Sequence, residues 1–185
     1  MPITKDVTKI IHYDHDYQQF RGKVTPSRHI SNSTYHQQCI AIIGNDQNIA
    51  AQLMYIAKQA KKVIVFQQQP SPILPKSSKI MDMLVQHPLI RKNKRLFNSR
   101  IKSVLALRFL EKQVKNAWIR RQLTANFVQK KAQYLKSDDF YTALQLPQCE
   151  LVTWPILQVN QHDIYTINGD IHRFDMIIYS ESTAL

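Results

Sequence analysis

One segment of the sequence has residue types and spacing suited to holding a phosphate group. A short apolar run ends at Gly44, and four polar residues follow directly: Asn45, Asp46, Gln47 and Asn48. Glycine at such a turn lets the backbone approach a ligand, and the free amides of a following helix attract anions. The chain has only three glycines, however. Phosphate binding at this turn is therefore a hypothesis that the surrounding elements must support.

The other reactive residue types form no recognisable catalytic or metal site. Four possible metal ligands lie together near the N-terminus: His12, Asp14, His15 and Asp16. Terminal segments are poorly ordered unless they are tied to the fold, so we expect a solvated segment there. Cys39 and Cys149 lack CxxC or zinc-type spacing, and Ser180 and Ser182 lack a GxSxG motif. We assign no catalytic and no metal-binding residue.

The elements that must position the Gly44 turn form a βαβ unit. Residues 39–43 are wholly apolar, as is typical of a buried parallel strand. Apolar residues recur at helical spacing over 49–60, and a β-branched run follows at 63–66. Strand, turn, helix and strand in so short a span predict two parallel strands with a right-handed connection.

The rest of the chain divides into a helical part and a β-rich part. Three prolines, Pro70, Pro72 and Pro75, interrupt regular structure after the βαβ unit. Beyond them the spacing predicts helices over 80–85 and 105–123, and a helix over 138–144 capped by Ser137. In the helix over 105–123, four residues mark a buried stripe: Leu107, Leu110, Val114 and Trp118. After Pro147 we predict strands over 150–153, 156–159, 163–166 and 175–179, with a hairpin turn at Asn168-Gly169.

Together these elements predict an α/β fold: a Rossmann-like βαβ nucleotide-binding domain with a helical insert and a C-terminal β region. The predicted divisions are an N-terminal segment (1–38), the βαβ unit (39–75), a basic helical insert (76–146) and a β region that completes the domain (147–185).

Several segments resemble Baeyer-Villiger and related flavin monooxygenases. Residues 40–75, reading IAIIGNDQNIAAQLMYIAKQAKKVIVFQQQPSPILP, resemble the second dinucleotide-binding motif of that family. Segments 110–124, 137–156 and 175–178 follow in the family's order, so the likeness runs from about Phe20 to the C-terminus. The resemblance implies a family fold with two Rossmann-type domains, one for FAD and one for NADPH with a helical insert. This chain matches the NADPH domain, and it begins after the point where the FAD fingerprint would lie.

The resemblance also implies where cofactor contacts would be, and several are degenerate. Gly44 keeps the position of the first glycine, but Asp46 and Ile49 stand at the second and third. Asp46 places a negative charge where two phosphates should rest, and Ile49 adds bulk at a close contact between helix and strand. Gln68 stands where the family carries an arginine for the 2′-phosphate of NADPH. The remnant cofactor site therefore comprises Gly44, Asn45, Asp46, Gln47, Asn48 and Gln68.

Two further family motifs are altered. Ala132 and Gln133 occupy the positions of an adjacent lysine and arginine, which serve NADPH and the flavin peroxide; Lys130 and Lys131 could substitute only if the loop shifted register. The family's Ala-Thr-Gly after the last strand is matched by Ser180, Glu181 and Ser182. NADPH and FAD are the cofactors that the resemblance implies, yet we expect none to bind this chain alone. Flavin oxygenation needs both, so we expect a truncated, non-catalytic relative.

The chain is strongly basic, with a formal net charge of +12. Between Arg91 and Lys136 many lysines and arginines are opposed by Glu111 alone. Such a face could hold a nucleic-acid backbone by counterion release. No zinc finger or RNP-type motif accompanies it, so we expect a solvated face rather than a nucleic-acid partner.

Three functions follow as hypotheses. The first is the non-catalytic relative, associating with another protein chain that supplies an FAD domain. The second is the NADPH-domain subunit of a split FAD- and NADPH-dependent monooxygenase. The third is a basic module that binds nucleic acid or protein. Two cysteines, no signal peptide and no apolar run of membrane-spanning length favour a cytoplasmic location.

Overall fold

The computed structural model describes residues 17–32, 34–77, 99–124 and 133–181. The α-helices within these ranges are α1 (Gln47–Gln59), α2 (Ser99–Gln113), α3 (Ala117–Thr124) and α4 (Phe140–Leu144). The strands are β1 (Lys23–Pro26), β2 (Cys39–Ile43), β3 (Lys62–Phe66), β4 (Ile73–Leu74), β5 (Leu135–Lys136), β6 (Cys149–Val152), β7 (Ile156–Val159), β8 (Asp163–Thr166), β9 (Ile171–Arg173) and β10 (Met176–Tyr179).

The centre of the fold is a parallel sheet of five strands in the order β1-β10-β2-β3-β6. β2 and β3 are joined by α1, as the βαβ pattern predicted, and pair with Ile40 opposite Val63. Both strands are buried on both faces, which explains their continuous apolar sequences. The predicted α/β class with a parallel sheet is confirmed.

The two faces of this sheet are covered by different layers. Ile40 and Ile42 belong to a core formed with the helices, which contribute residues such as Leu53 of α1 and Phe109 of α2. Ala41 and Ile43 point the other way, into a second core with residues of the antiparallel sheet β7-β8-β9, such as Ile164. Alternation along each parallel strand therefore supplies two cores, and the sheet is sandwiched between helices and a small β-sheet.

The antiparallel sheet contains the predicted hairpin. Asn168 and Gly169 lie in the turn between β8 and β9, and Gly169 has a φ of +91°, which favours glycine. β9 itself was not predicted, because its sequence, Ile-His-Arg, has no apolar run. It forms because β8 offers a pairing edge, with Tyr165 opposite Ile171.

The predicted helix over 105–123 is wrong in one respect: the structure divides it into α2 and α3. Asn116 lies in the break, and its side-chain oxygen accepts bonds from the backbone amides of Trp118 (2.9 Å) and Ile119 (3.3 Å). An asparagine in this role starts a new helix. The break also changes which residues face inward. Leu110 and Val114 are buried as predicted, but Trp118 is 67% exposed, so its assignment to the buried stripe was wrong.

The remaining elements agree with the predictions apart from their ends. α1 begins two residues before the predicted start. α4 begins at Phe140 rather than residue 138, and the hydroxyl of Ser137 accepts a bond from the Phe140 amide at 3.2 Å, as the predicted cap requires. β1 and the short parallel pair β4-β5 were not predicted. The predicted helix over 80–85 and the His12–Asp16 cluster lie outside the described residues. Among the described helices, none combines the length and apolar character that a membrane crossing requires.

Gly22 generates a test of how closely the edge of the sheet is packed. A Cβ at this position would overlap the backbone oxygen of Asp175 and the ring of Phe20. The Asp175 oxygen also accepts a bond from the Lys23 amide (3.2 Å), so backbone must move to make room. We expect Gly22→Ala to lower the free energy of unfolding by about 1–3 kcal/mol in urea titrations. Gly169→Asn is the control, since nothing lies within 4 Å of its Cβ position and asparagine tolerates positive φ. Equal stability of Gly22→Ala and the parent protein would contradict this packing.

Candidate functional site

The carboxyl ends of the parallel strands bring several polar residues to one edge of the sheet. Ser27 follows β1, Gly44 follows β2, Gln67 follows β3 and Ser180 follows β10. In open α/β sheets this edge is where ligands bind. The predicted remnant site around Gly44 therefore lies at the position expected of a functional site in this class of fold.

The Gly44 turn has the backbone geometry that a glycine supplies. Gly44 has a φ of +86°, a left-handed conformation that side chains disfavour. Its amide donates to the carbonyl oxygen of Phe66 at 2.9 Å, so the turn is fixed to the end of β3. The chain then reaches α1 within three residues. The tight turn between strand and helix is present, and what it holds depends on the next residues.

Asp46 occupies the N-terminus of α1 with its own carboxylate. Its Oδ1 accepts bonds from the amides of Asn48 (2.9 Å) and Ile49 (3.0 Å), the free donors of the first turn. The residue has extended backbone geometry and is the N-cap of the helix. These are amides of the kind that would face a phosphate in a dinucleotide site. In this chain a side chain already uses them.

A second element holds the other carboxylate oxygen. The hydroxyl of Ser27, just after β1, donates to Asp46 Oδ2 at 2.5 Å. Ser27 and Asp46 are 2% and 8% exposed, so the contact is nearly closed to solvent. Two amides and one hydroxyl thus surround the carboxylate, and its negative charge complements the helix dipole. Ser27 was not among the predicted site residues, because no motif or periodicity marks it.

The neighbouring residues of the turn have structural contacts as well. Ile49 is fully buried in the helix-side core, at the position where a third glycine would allow close packing. The side-chain amide of Gln47 donates to the carbonyl of Lys136 (2.8 Å) and accepts from its amide (2.9 Å), joining α1 to β5. Asn48 is exposed, and Asn45 is half-buried. The turn therefore joins elements of the fold.

The end of β3 carries no positive charge. Gln68 is exposed and neutral where an arginine would meet a 2′-phosphate. Gln67, in contrast, is only 2% exposed, and within the described part of the chain neither atom of its amide has a hydrogen-bond partner. A buried amide in that state is unfavourable by about 1–3 kcal/mol. Gln67 was not among the predicted site residues, because the sequence does not indicate which of two adjacent glutamines is buried.

Ser180 and Glu181, which match the start of the family's Ala-Thr-Gly, come directly after β10. Ser180 is buried, and its amide donates to the carbonyl of Ile43 at 2.8 Å. Glu181 forms an ion pair with Arg28, and both side chains are well exposed, so the pair adds little stability. Gln133 is exposed. Ser182, Lys130, Lys131 and Ala132 lie outside the described residues. The Asp46 carboxylate on the helix amides and the neutral Gln68 do not match the contacts that a dinucleotide site of this kind uses.

Two buried ionisable groups near the sheet, Cys149 and Tyr141, are held in their neutral forms. Burial raises the pKa of Cys149 to about 12, and the charge of Glu150 acts in the same direction, while a backbone hydrogen bond opposes both. Burial also raises the pKa of the Tyr141 phenol above its usual value. Neither group ionises near neutral pH, so neither is an activated nucleophile. Within the described ranges, no three histidine, cysteine or acidic residues gather as a metal site would require.

Comparisons with known proteins agree with the geometry of the sheet. No family model matches the chain. A curated relative, the FAD-binding monooxygenase ktnD of Aspergillus niger, is 27% identical over 164 residues, covering 75% of this chain and 27% of the relative. The structure also superposes on oxidized steroid monooxygenase bound to NADP, with a TM-score of 0.68 and 14% identity, over 88% of this chain and 42% of that one. The chain is related to the flavin-dependent monooxygenases.

Two more solved structures show the fold of this flavin-monooxygenase relative. Cyclohexanone-bound cyclohexanone monooxygenase gives a TM-score of 0.69 at 12% identity, and the OTEMO complex with FAD and NADP gives 0.66 at 14%. Each covers 88% of this chain and 43% of the other. The chain thus spans about a quarter of the curated relative and less than half of the solved ones. The predicted family resemblance is confirmed.

The Asp46 contacts predict a measurable effect on folding stability. Asp46→Ala removes the acceptor for two helix amides, and we expect the free energy of unfolding to fall by about 0.5–2 kcal/mol in urea titrations. Ser27→Ala should also destabilise the protein, and the double variant should lose less than the sum because the two residues share one hydrogen bond. Asp139→Ala is the matched control: Asp139 is the N-cap of α4 but makes no side-chain cap bond. Additive losses for Asp46 and Ser27 would contradict the contact.

Proposed function

We propose that this flavin-monooxygenase relative is a non-catalytic nucleotide-fold domain whose dinucleotide site is closed from within. The observation that carries the proposal is the Asp46 carboxylate on the first amides of α1. A pyrophosphate could use those amides only after the carboxylate had left them and its bond from Ser27. The Asp46 carboxylate is part of the chain, so it is always present at these amides and competes there with any phosphate ligand.

Charge adds to this competition. A phosphate oxygen and a carboxylate about 4 Å apart repel by about 4 kcal/mol at the effective dielectric of a protein surface. The arginine that would attract the 2′-phosphate is replaced by the neutral Gln68. Asp46 acts at the turn before α1 and Gln68 acts after the end of β3, and both weaken the binding of the same ligand. They support weak or no binding of NADPH.

The absence of catalysis follows from the cofactors. In the related monooxygenases FAD activates oxygen and NADPH reduces the flavin, while the protein positions both. The family's lysine and arginine pair is matched by Ala132 and Gln133, which are neutral. Neither side chain can supply the positive charge that the family's lysine and arginine provide. We therefore infer that it does not carry out flavin oxygenation by itself.

Titration calorimetry with NADPH, and separately with FAD, tests the closed site. We expect no heat of binding from the parent protein at moderate salt. Asp46→Gly combined with Gln68→Arg should bind NADPH, and should bind NADH more weakly because the arginine meets the 2′-phosphate. Gln68→Arg alone is the control, and it should still not bind NADPH if Asp46 closes the site. Micromolar NADPH binding by the parent protein would overturn the proposal and revive the split-monooxygenase hypothesis.

An exposed apolar surface favours a protein partner as part of this function. Four large apolar side chains on and beside β7-β8-β9 are more than half exposed: Trp154 (54%), Leu157 (59%), Ile167 (55%) and Ile171 (60%). We name them the outer apolar surface. Ile171 pairs with Tyr165, whose strand neighbours Ile164 and Thr166 are buried, so Ile171 faces away from the central sheet. Four exposed apolar side chains of this size, on and beside one small sheet, support an interface there.

We propose that a flavin-binding half of the family covers the outer apolar surface. The solved relatives are more than twice as long as the part that this chain matches, and one of them is a complex with FAD and NADP. The remainder of such a protein offers a natural cover, in the same polypeptide or in another. A second copy of this chain is the competing occupant.

Analytical sedimentation distinguishes a flavin-binding partner from a second copy of this chain. The purified chain, mixed with the excised flavin-binding half of the Aspergillus niger relative, should form a one-to-one complex. Leu157→Lys with Ile171→Lys should abolish it, because charge on an apolar interface is strongly unfavourable. Val104→Lys is the control, since Val104 is an exposed apolar residue of α2. Dimerisation of the chain alone, or the same loss in the control, would contradict this partner.

A further inference from the structure

The corner between α2 and α3 presents an exposed tryptophan among positive charges. Trp118 is 67% exposed, although a tryptophan usually buries most of its surface. Lys112, Lys115 and Arg121 lie close to Trp118 in the sequence, and all three are exposed. We name these four residues the basic corner. The basic corner shares no residue with the Gly44 turn or with the outer apolar surface.

The backbone that carries Trp118 is held from several sides. Asn116 accepts bonds from the amides of Trp118 and Ile119, which fixes the first turn of α3. Leu123, one turn and a half further on, is 2% exposed and packs in the helix-side core. The side chain of Gln122 donates to the hydroxyl of Thr153 at 3.3 Å. The exposed ring therefore projects from a helix that is anchored at both ends.

The segment before Trp118 is fixed as well. Gln145 accepts a bond from the Lys115 amide (3.2 Å) and donates to the carbonyl of Gln113 (2.9 Å). Val114 between them is fully buried. A surface held in this way loses little conformational freedom when a ligand binds to it. The backbone of the basic corner is therefore preorganised for contact.

The charges around the ring are nearly all of one sign. Between Ser99 and Thr124 the sequence has seven lysines and arginines and one acidic residue, Glu111. Neither Lys115 nor Arg121 forms an ion pair with the described residues. A field of this sign attracts polyanions and speeds their association. The ligand of this surface must therefore combine negative charge with something that an indole ring can contact.

The sequence alone favoured a solvated basic face, but it also predicted a buried Trp118, and the exposed ring changes that expectation. We propose that the basic corner binds single-stranded nucleic acid, with a base stacked on Trp118 and phosphates on Lys112, Lys115 and Arg121. Unpaired bases offer flat faces to aromatic side chains, while their phosphates meet lysine and arginine. A duplex keeps its bases stacked inside. A membrane surface fits less well, because the apolar side of α3, with Leu123, is turned into the core and is not free to enter a bilayer.

Fluorescence of Trp118 gives a direct measurement. The chain has two tryptophans, so Trp154→Phe leaves Trp118 as the sole reporter. The probe is an oligothymidylate of ~12 nucleotides, within the site sizes usual for such surfaces. We expect binding to quench Trp118, and we expect log K to fall with log salt with a slope of about −2, since three phosphate contacts contribute ~0.7 each.

Variants separate stacking from charge. Trp118→Ala, measured with a labelled oligonucleotide, should weaken binding by about 5- to 150-fold, the usual effect of losing one stacked base. Lys115→Ala with Arg121→Ala should reduce the salt slope by about 1.4. Lys58→Ala with Lys61→Ala removes the same charge from exposed positions at the end of α1 and should change affinity little. Circular dichroism of each variant checks its folding.

Three results would overturn the proposal. The first is undiminished binding by Trp118→Ala, which means that the ring does not stack on a base. The second is an equal loss of affinity in the Lys58 and Lys61 control, which means that net charge alone attracts the strand. The third is stronger quenching by anionic phosphatidylserine vesicles than by the oligonucleotide, which assigns the corner to a lipid surface. None of these results alters the NADPH titration, so this inference and the closed nucleotide site fail independently.

Discussion

The Asp46 carboxylate satisfies the first amides of α1, and the edge of the sheet depends on that interaction. Every βαβ unit leaves such amides without partners in the helix, so a ligand, water or a side chain must accept from them. Here the acceptor belongs to the chain, and Ser27 donates to its other oxygen. The contact ties the end of β1 to the start of α1. The sheet edge is thereby complete without a nucleotide.

The same interaction shows how the edge of the sheet can be stable without a bound nucleotide. The two cores lie on the faces of the parallel sheet, away from the edge where a cofactor would bind. A change at the edge therefore leaves most of the buried apolar surface intact. Ile49 goes further and adds a fully buried side chain where a glycine would give none. Ile49 thereby adds buried apolar surface between α1 and the sheet, which stabilises the fold.

Sequence reasoning predicted the elements with strong apolar patterns and missed those defined by contacts. β2, β3 and α1 were predicted because continuous or helical apolar spacing leaves few alternatives. β1 and β9 have short, partly polar sequences and exist through pairing with neighbours. The Asn116 break was missed because one asparagine is compatible with a helix interior. At the site, Asp46 was predicted as an obstacle to phosphate, but its bond from Ser27 joins segments that no local pattern connects.

The small parallel pair β4-β5 has a consequence for how this chain can vary. Ile73 and Leu74 lie beside Leu135 and Lys136, and Gln47 imitates a peptide group in binding both backbone atoms of Lys136. The chain therefore leaves β4 and returns at β5 at neighbouring points, and the helices α2 and α3, which lie between these strands in the sequence, pack in the helix-side core. The buried residues of α2, such as Phe109 and Leu110, are thus held between two fixed points, whereas an exposed position such as Val104 can vary without disturbing the core.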